Sequence, residues 1–210
     1  MVKILANDGI APEGKKMLED AGFQVDTDKI EQDQLKDNLG DYSAIIVRSA
    51  SRVTKDIIDN NPQLKVIGRA GVGLDNIDVE HAENQGRKVI NTPAASSLSV
   101  AELAFGHLAG LVRFINQSNR EMPEKGKDDF KSLKKNYAKG IELRHKTIGI
   151  IGAGRIGQEM AKIALGAGMH VKIADPMIDE VKLELDHIKA GPTPTIQLKS
   201  VSNEELLKAS

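Results

Sequence analysis

Residues Thr147 to Pro176 read TIGIIGAGRIGQEMAKIALGAGMHVKIADP. Thr147 to Ile151 is a short apolar run of the kind that forms a buried strand, and Ile156 to Leu165 carries apolar residues at helical spacing. Between them Gly152, Gly154 and Gly157 spell GxGxxG, and Asp175 closes a second apolar run about twenty residues further on. Strand, glycine turn, helix and acid in this register are the parts of a dinucleotide site. Gly152 permits the tight turn, Gly154 lets backbone approach a pyrophosphate, and Gly157 lets helix pack closely on strand. The helix N-terminus offers unpaired N–H groups and the positive end of its dipole to that pyrophosphate. Asp175 is placed to bond the ribose hydroxyls of NAD and to repel the extra phosphate of NADP, and no Arg follows it nearby. The bland alternative is a glycine turn with a purely structural role.

Upstream, short apolar runs alternate with helical stretches. VKILA precedes PEGKKMLEDAG, FQV precedes EQDQLKDNLG, AIIV precedes TKDIIDNN, KVIG precedes DVEHAENQG, and KVIN closes the series. Strands spaced by helices argue βαβ units around a parallel sheet. The polar stretch NTPAASSLS, Asn91 to Ser99, breaks this rhythm and predicts a junction, with domains over 1–97 and 98–210. Beyond it, Ser99 and Glu102 form a capping box. The residues from Ser99 to Gln117 are apolar around most of a helix, so burial on several sides is expected, between domains or across a dimer. The charged stretch EMPEKGKDDFKSLKKNYAKG, interrupted by Pro123, Gly126 and Gly140, reads as a solvated surface segment, with an anion site as its alternative.

Composition narrows the partners. Lys and Arg number 29 against 30 Asp and Glu in 210 residues, too balanced for nucleic acid or an anionic membrane. Aromatics at 3% leave little for stacking on bases. The chain has no cysteine, which excludes disulfides and thiolate chemistry and suits the cytoplasm. No apolar run reaches the roughly 18 residues of a membrane span. No metal-ligand pattern stands out.

The stretches IIVRSASRVTKDII, VIGRAGVGLDNIDVEHAENQGRKVINTP, SVAELAFGHLAGLVR and ELRHKTIGIIGAGRIGQEMAKIALGAGMHVKIADP together resemble the D-isomer-specific 2-hydroxyacid dehydrogenases, in family order across nearly the whole chain. The resemblance implies an α/β architecture, a flavodoxin-like substrate-binding domain followed by a Rossmann nucleotide-binding domain that is incomplete here. It implies NAD-dependent oxidation of a small 2-hydroxy acid, 3-phospho-D-glycerate first, with glyoxylate, hydroxypyruvate or D-lactate as alternatives. It further implies a homodimer or higher homo-oligomer, with a catalytically silent NAD-binding module as a competing reading. Arg48, with Ser49 beside it, would approach the phosphate or carboxylate end of the acid. Gly71, Val72 and Gly73 would offer N–H groups to its carboxylate, Val72 also lying towards the nicotinamide, while Arg155 and Ile156 would present backbone to the pyrophosphate. Without the resemblance, GVG is only a tight turn and Arg48 a surface charge just after a strand.

The chain departs from the family at the junction, where a pattern like NTPxGNS becomes NTPAASS, with Ala95 and Ser96 in the Gly and Asn places. None of His81, His107, His145, His170 and His187 stands in the pattern of the family's catalytic histidine. The family's catalytic Arg, Glu and His fall beyond the point matching Ser210, so no catalytic residue is assigned and the chain reads as the N-terminal part of a dehydrogenase. Its last residues, SNEELLKAS, carry a capping box at Ser202 and Glu205 that opens a helix.

Overall fold

The computed structural model describes every residue except His187, Ala190 and Ser210. The chain divides into two compact units, Met1–Ser96 and Ser97–Ser210.

In the first unit β1 (Lys3–Ala6), α1 (Pro12–Asp20), β2 (Gln24–Asp26), α2 (Leu35–Asn38), β3 (Ala44–Val47), α3 (Lys55–Asn60), β4 (Val66–Arg69), α4 (Val79–Asn84) and β5 (Lys88–Asn91) alternate. The five strands pair in parallel in the order β2-β1-β3-β4-β5. That order reverses direction between β1 and β3, which makes the crevice at their carboxyl ends the place where α/β sheets bind ligands. A parallel sheet needs apolar cover on its faces. Leu5, Ile45, Val47 and Ile67 pack against Leu35, Ile57, Ile58 and Ala82 of α2, α3 and α4 on one face. Ile4, Ala6, Val25 and Ala44 meet Leu18 of α1 on the other. The helix expected over EQDQLKDNLG shortens to Leu35–Asn38, because only Leu35 and Leu39 reach the core.

The second unit begins with α5 (Ser97–Val112) and α6 (Ile115–Tyr137), followed by β6 (Thr147–Ile151), α7 (Arg155–Gly166), β7 (His170–Ala174), β8 (Glu180–Glu184), β9 (Thr195–Lys199) and α8 (Asn203–Ala209). β6 and β7 pair in parallel, the first two strands of a Rossmann sheet. The single helix expected over Ser99–Gln117 does not form. Its carbonyl ladder is cut where the Ile141 N–H takes the Val112 oxygen at 2.9 Å, and Phe114 turns into the left-handed region at φ 56°. α5 and α6 meet there at 55°. The charged segment beyond is helical through Pro123 and bends only at Asp129 (φ −116°). Ser99 lies inside α5, which starts at Ser97, three residues before the Val100 that its capping pattern indicates. Within its unit α5 buries Ser97, Ala101 and Gly110 but leaves Leu103 and Leu111 exposed, so the burial on several sides expected of it is not found there.

β8 and β9 form an antiparallel ribbon that the sequence reading did not include. Val181 and Leu183 alternate inward with Glu180, Lys182 and Glu184 outward, the period of a half-buried strand. The ribbon abuts β7 through a parallel bridge between Ile173 and Ser200. α8 follows with the expected cap, the Glu205 N–H donating to Ser202 Oγ at 3.1 Å, and buries Leu206. Among the described residues no single helix is long and apolar enough to cross a membrane.

Candidate functional site

The glycine turn of the second unit is shaped by backbone requirements. Gly152 sits at φ +98°, a conformation L side chains rarely adopt, and its N–H bonds the Ala174 carbonyl at 2.8 Å. A Cβ on Gly157 would lie 2.0 Å from the Gly152 carbonyl oxygen, so helix and turn can meet only at glycine. Gly154 differs from both. Its φ of −69° suits any residue, and a Cβ there would have nothing within 4 Å. The protein itself does not require glycine at 154; a ligand lying against the backbone would. The N–H groups of Gly154, Arg155 and Ile156 have no acceptor among the described residues, and they open the twelve-residue α7. Unpaired donors, helix dipole and vacant space fit a pyrophosphate.

Asp175 directly follows β7, beside this turn. Its Oδ2 accepts the Ala153 N–H and its Oδ1 the Met177 N–H, both at 2.8 Å. These bonds, Met177 first and Ala153 next, hold its carboxyl below the ordinary aspartate range. Each oxygen keeps a lone pair for a further donor such as a ribose hydroxyl. Ser200 Oγ accepts the Asp175 N–H at 2.8 Å, so the β8–β9 ribbon fixes the backbone that carries the acid. Ser200 was not legible as a site residue.

The first unit brings Arg48, Ser49 and the Gly71–Gly73 turn to the carboxyl ends of β3 and β4. The Gly71 N–H is already spent on the Arg69 carbonyl at 2.9 Å, and its own carbonyl accepts the Thr92 N–H at 3.1 Å. The Val72 and Gly73 N–H groups have no acceptor among the described residues, which leaves them the donors a carboxylate at this turn would use. The Val72 side chain is 46% exposed beside them. The Arg48 guanidinium is exposed and has no partner among the described residues.

Side chains that the sequence pattern did not mark hold these loops. Arg69 donates Nη1 to the Gly73 carbonyl, Nη2 to Ser49 Oγ at 3.4 Å and Nε to the Arg48 carbonyl at 3.4 Å, tying the two loops together. Asn91 Nδ2 donates to the Val72 carbonyl at 2.6 Å. Asp8 accepts the Arg48 N–H at 2.6 Å, the Ser51 N–H at 3.0 Å and the Ser51 hydroxyl at 2.6 Å. Burial works to raise the Asp8 carboxyl, but the Ser51 hydroxyl and the Arg48 and Ser51 N–H groups outweigh it and leave it below the usual range.

Of the histidines, His81 pairs with Asp59 at 2.7 Å and His145 and His170 lie with ring centroids 6.2 Å apart. His187 lies outside the described residues. Among the described residues no group of three metal-ligating side chains converges.

A doubly wound substrate-type unit followed by a glycine-turn nucleotide unit defines a class of two-part α/β oxidoreductases. The chain belongs to the D-isomer specific 2-hydroxyacid dehydrogenases, whose catalytic domain it matches over residues 4–208. It is 43% identical over 178 residues to the D-3-phosphoglycerate dehydrogenase of Methanocaldococcus jannaschii, a match covering 85% of this chain and 33% of that protein. It is 41% identical over 187 residues to the hydroxypyruvate reductase of Thermotoga maritima, covering 89% and 59%. The NAD-bound 3-phosphoglycerate dehydrogenase of Entamoeba histolytica is a structural neighbour, with TM-score 0.63, 32% identity, and coverage of 84% of this chain and 55% of that one. The chain thus spans about a third of the length of the first of these relatives.

Proposed function

We propose that this protein serves the NAD-dependent oxidation of 3-phospho-D-glycerate to 3-phosphohydroxypyruvate, the reaction that feeds serine synthesis, in the cytoplasm. The observation that carries the reading is the Val72 and Gly73 N–H groups and the Arg48 guanidinium, all without a partner among the described residues, at the carboxyl ends of a parallel sheet. Two backbone donors suit a carboxylate, and a guanidinium suits a phosphate or a second carboxylate. The similarity to D-3-phosphoglycerate dehydrogenases supports that choice of acid.

Bound NAD supplies the acceptor for the hydride that leaves C2. The free N–H groups of Gly154, Arg155 and Ile156 hold its pyrophosphate, and Asp175 receives its ribose hydroxyls. Val72 and Gly73 orient the acid so that C2 presents its hydrogen, and Arg48 holds the far phosphate. These residues bind and orient. None of them is assigned the hydroxyl proton. The exposed Leu103 and Leu111 of α5 support a homodimer or higher homo-oligomer formed on that helix.

A second reading keeps the chemistry and changes the acid, and the hydroxypyruvate reductase relative favours it. Calorimetric titration of the 210-residue chain separates the two. The phosphoglycerate reading expects 3-phospho-D-glycerate to bind at least about tenfold more tightly than D-glycerate or D-lactate, the margin of one charged hydrogen-bonded contact. Equal affinities would favour an unphosphorylated acid, and absence of NADH binding would overturn the dehydrogenase reading itself.

A further inference from the structure

The Arg48–Ser51 loop is closed in an unusually complete way. Loop backbone that faces a ligand is ordinarily satisfied by water, and therefore mobile. Here both backbone groups of Arg48 and both of Ser51 are taken by side chains from elsewhere in the unit. Asp8 accepts the two N–H groups, and Asn76 Nδ2 donates to the two carbonyls, at 2.8 Å for Arg48 and 2.6 Å for Ser51. Ser51 is 2% exposed, its hydroxyl donating to Asp8 and accepting from Asn7 Nδ2 at 2.8 Å. Asn76 is itself pinned, since its carbonyl accepts the Val53 N–H at 2.9 Å.

Asn76 carries a visible cost for this arrangement. It is 8% exposed, and its Oδ1 is buried with no hydrogen-bond partner among the described residues, since turning the amide to satisfy that oxygen would break both bonds to the loop. A buried orphan of this kind calls for a reason. Stability alone supplies a weak one, since an apolar side chain would leave no orphan. A loop that must hold one shape supplies a better one.

We propose that Asp8 and Asn76 are positioning residues for the acid-binding site: they clamp both ends of the Arg48–Ser51 loop so that Arg48 and Ser49 receive the anionic end of the substrate already in place. The proposal rests on the functional reading above. Neither side chain touches the acid. Asp8 stands on the β1 side of the switch point and Asn76 beyond β4, so the clamp ties together the three strands that border the crevice.

The test compares Asp8→Asn and Asn76→Asp with the wild-type chain. Asn76→Asp keeps the shape but replaces a donor with an acceptor facing two carbonyls; Asp8→Asn keeps the shape and removes the charge. Both should weaken 3-phospho-D-glycerate binding by about tenfold or more, as lost charge-assisted or reversed hydrogen bonds do. NADH affinity, read on the other unit, should stay unchanged. Amide hydrogen exchange should accelerate at Arg48 and Ser51 and not at the core strand residues Ile45 and Ile67. Should Asn76→Asp fail to fold, Asn76→Ala replaces it with the same expectation. Wild-type affinity retained in variants with faster loop exchange would overturn the clamp while leaving the functional reading intact. A wild-type chain that binds NADH but no 2-hydroxy acid would overturn both.

Discussion

The two candidate binding regions of this molecule are built on opposite principles. The turn from Gly152 to Gly157 takes its shape from backbone: a positive φ at one glycine, a forbidden Cβ at another, and an open face at the third. The Arg48–Ser51 and Gly71–Gly73 loops take theirs from side chains reaching across the sheet, Asp8 from 40 residues away, Asn76 from 28 and Arg69 from 21. A site held by local backbone is sensitive to a single methyl group. A site held by distant polar side chains is sensitive above all to the loss of a donor or acceptor.

The sharpest way to break this contrast is Gly157→Ala. Its methyl group must displace the Gly152 carbonyl, and overpacking of this kind costs about 1–3 kcal/mol or more. A lower thermal midpoint together with loss of NADH binding is expected, and an unchanged midpoint would remove the steric argument. Gly152→Ala follows, at about 1–2 kcal/mol for a side chain forced to positive φ. Arg69→Met should change stability little, because the residue is partly exposed, yet raise the dissociation constant for the acid by about fivefold, the worth of roughly 1 kcal/mol in lost hydrogen bonds. Gly154→Ala isolates the ligand from the fold. Denaturant melts should place it within about 1 kcal/mol of wild type, whereas titration should show NADH affinity reduced by about tenfold or more.

The smallest effect is in pH. The Asp8 and Asp175 carboxyls are both depressed in the folded protein. Their contribution to stability is therefore complete above the unfolded value of about 3.9 and fades as pH falls through the lower folded values. Thermal midpoints should be flat in this contribution from neutrality down to about pH 5, and Asp8→Asn should flatten the fall below pH 4.

The same contrast explains what the sequence disclosed. Alternating apolar runs marked the strands of the first unit to within a residue or two, because a buried parallel strand writes itself as a run of Ile, Val and Leu. The strand–turn–helix geometry around Gly152, Gly157 and Asp175 was legible because so close a packing of strand, turn and helix demands fixed spacing along one chain segment. Asp8, Asn76 and Arg69 were not, since all but one of their bonds to these loops span 20 to 43 residues and leave no local spacing. The break at Phe114 was hidden for a related reason: the Val112 carbonyl is captured by Ile141, a partner that periodicity within the helix does not reveal. The β8–β9 ribbon did leave a trace, in the alternation of Val181, Leu183 and Leu185 with charged residues, and a period-two reading of EVKLEL would have found it.

The division of labour between the two loops is open to one direct measurement, the amide spectrum of the ¹⁵N-labelled chain titrated first with NAD and then with 3-phospho-D-glycerate. NAD should shift the Gly154, Arg155 and Ile156 amides, and the acid should shift those of Val72 and Gly73, whose N–H groups have no acceptor among the described residues. Gly71, whose N–H is already held by the Arg69 carbonyl, should move less than either. Shifts from the acid concentrated in the glycine turn, with Val72 and Gly73 unmoved, would contradict it.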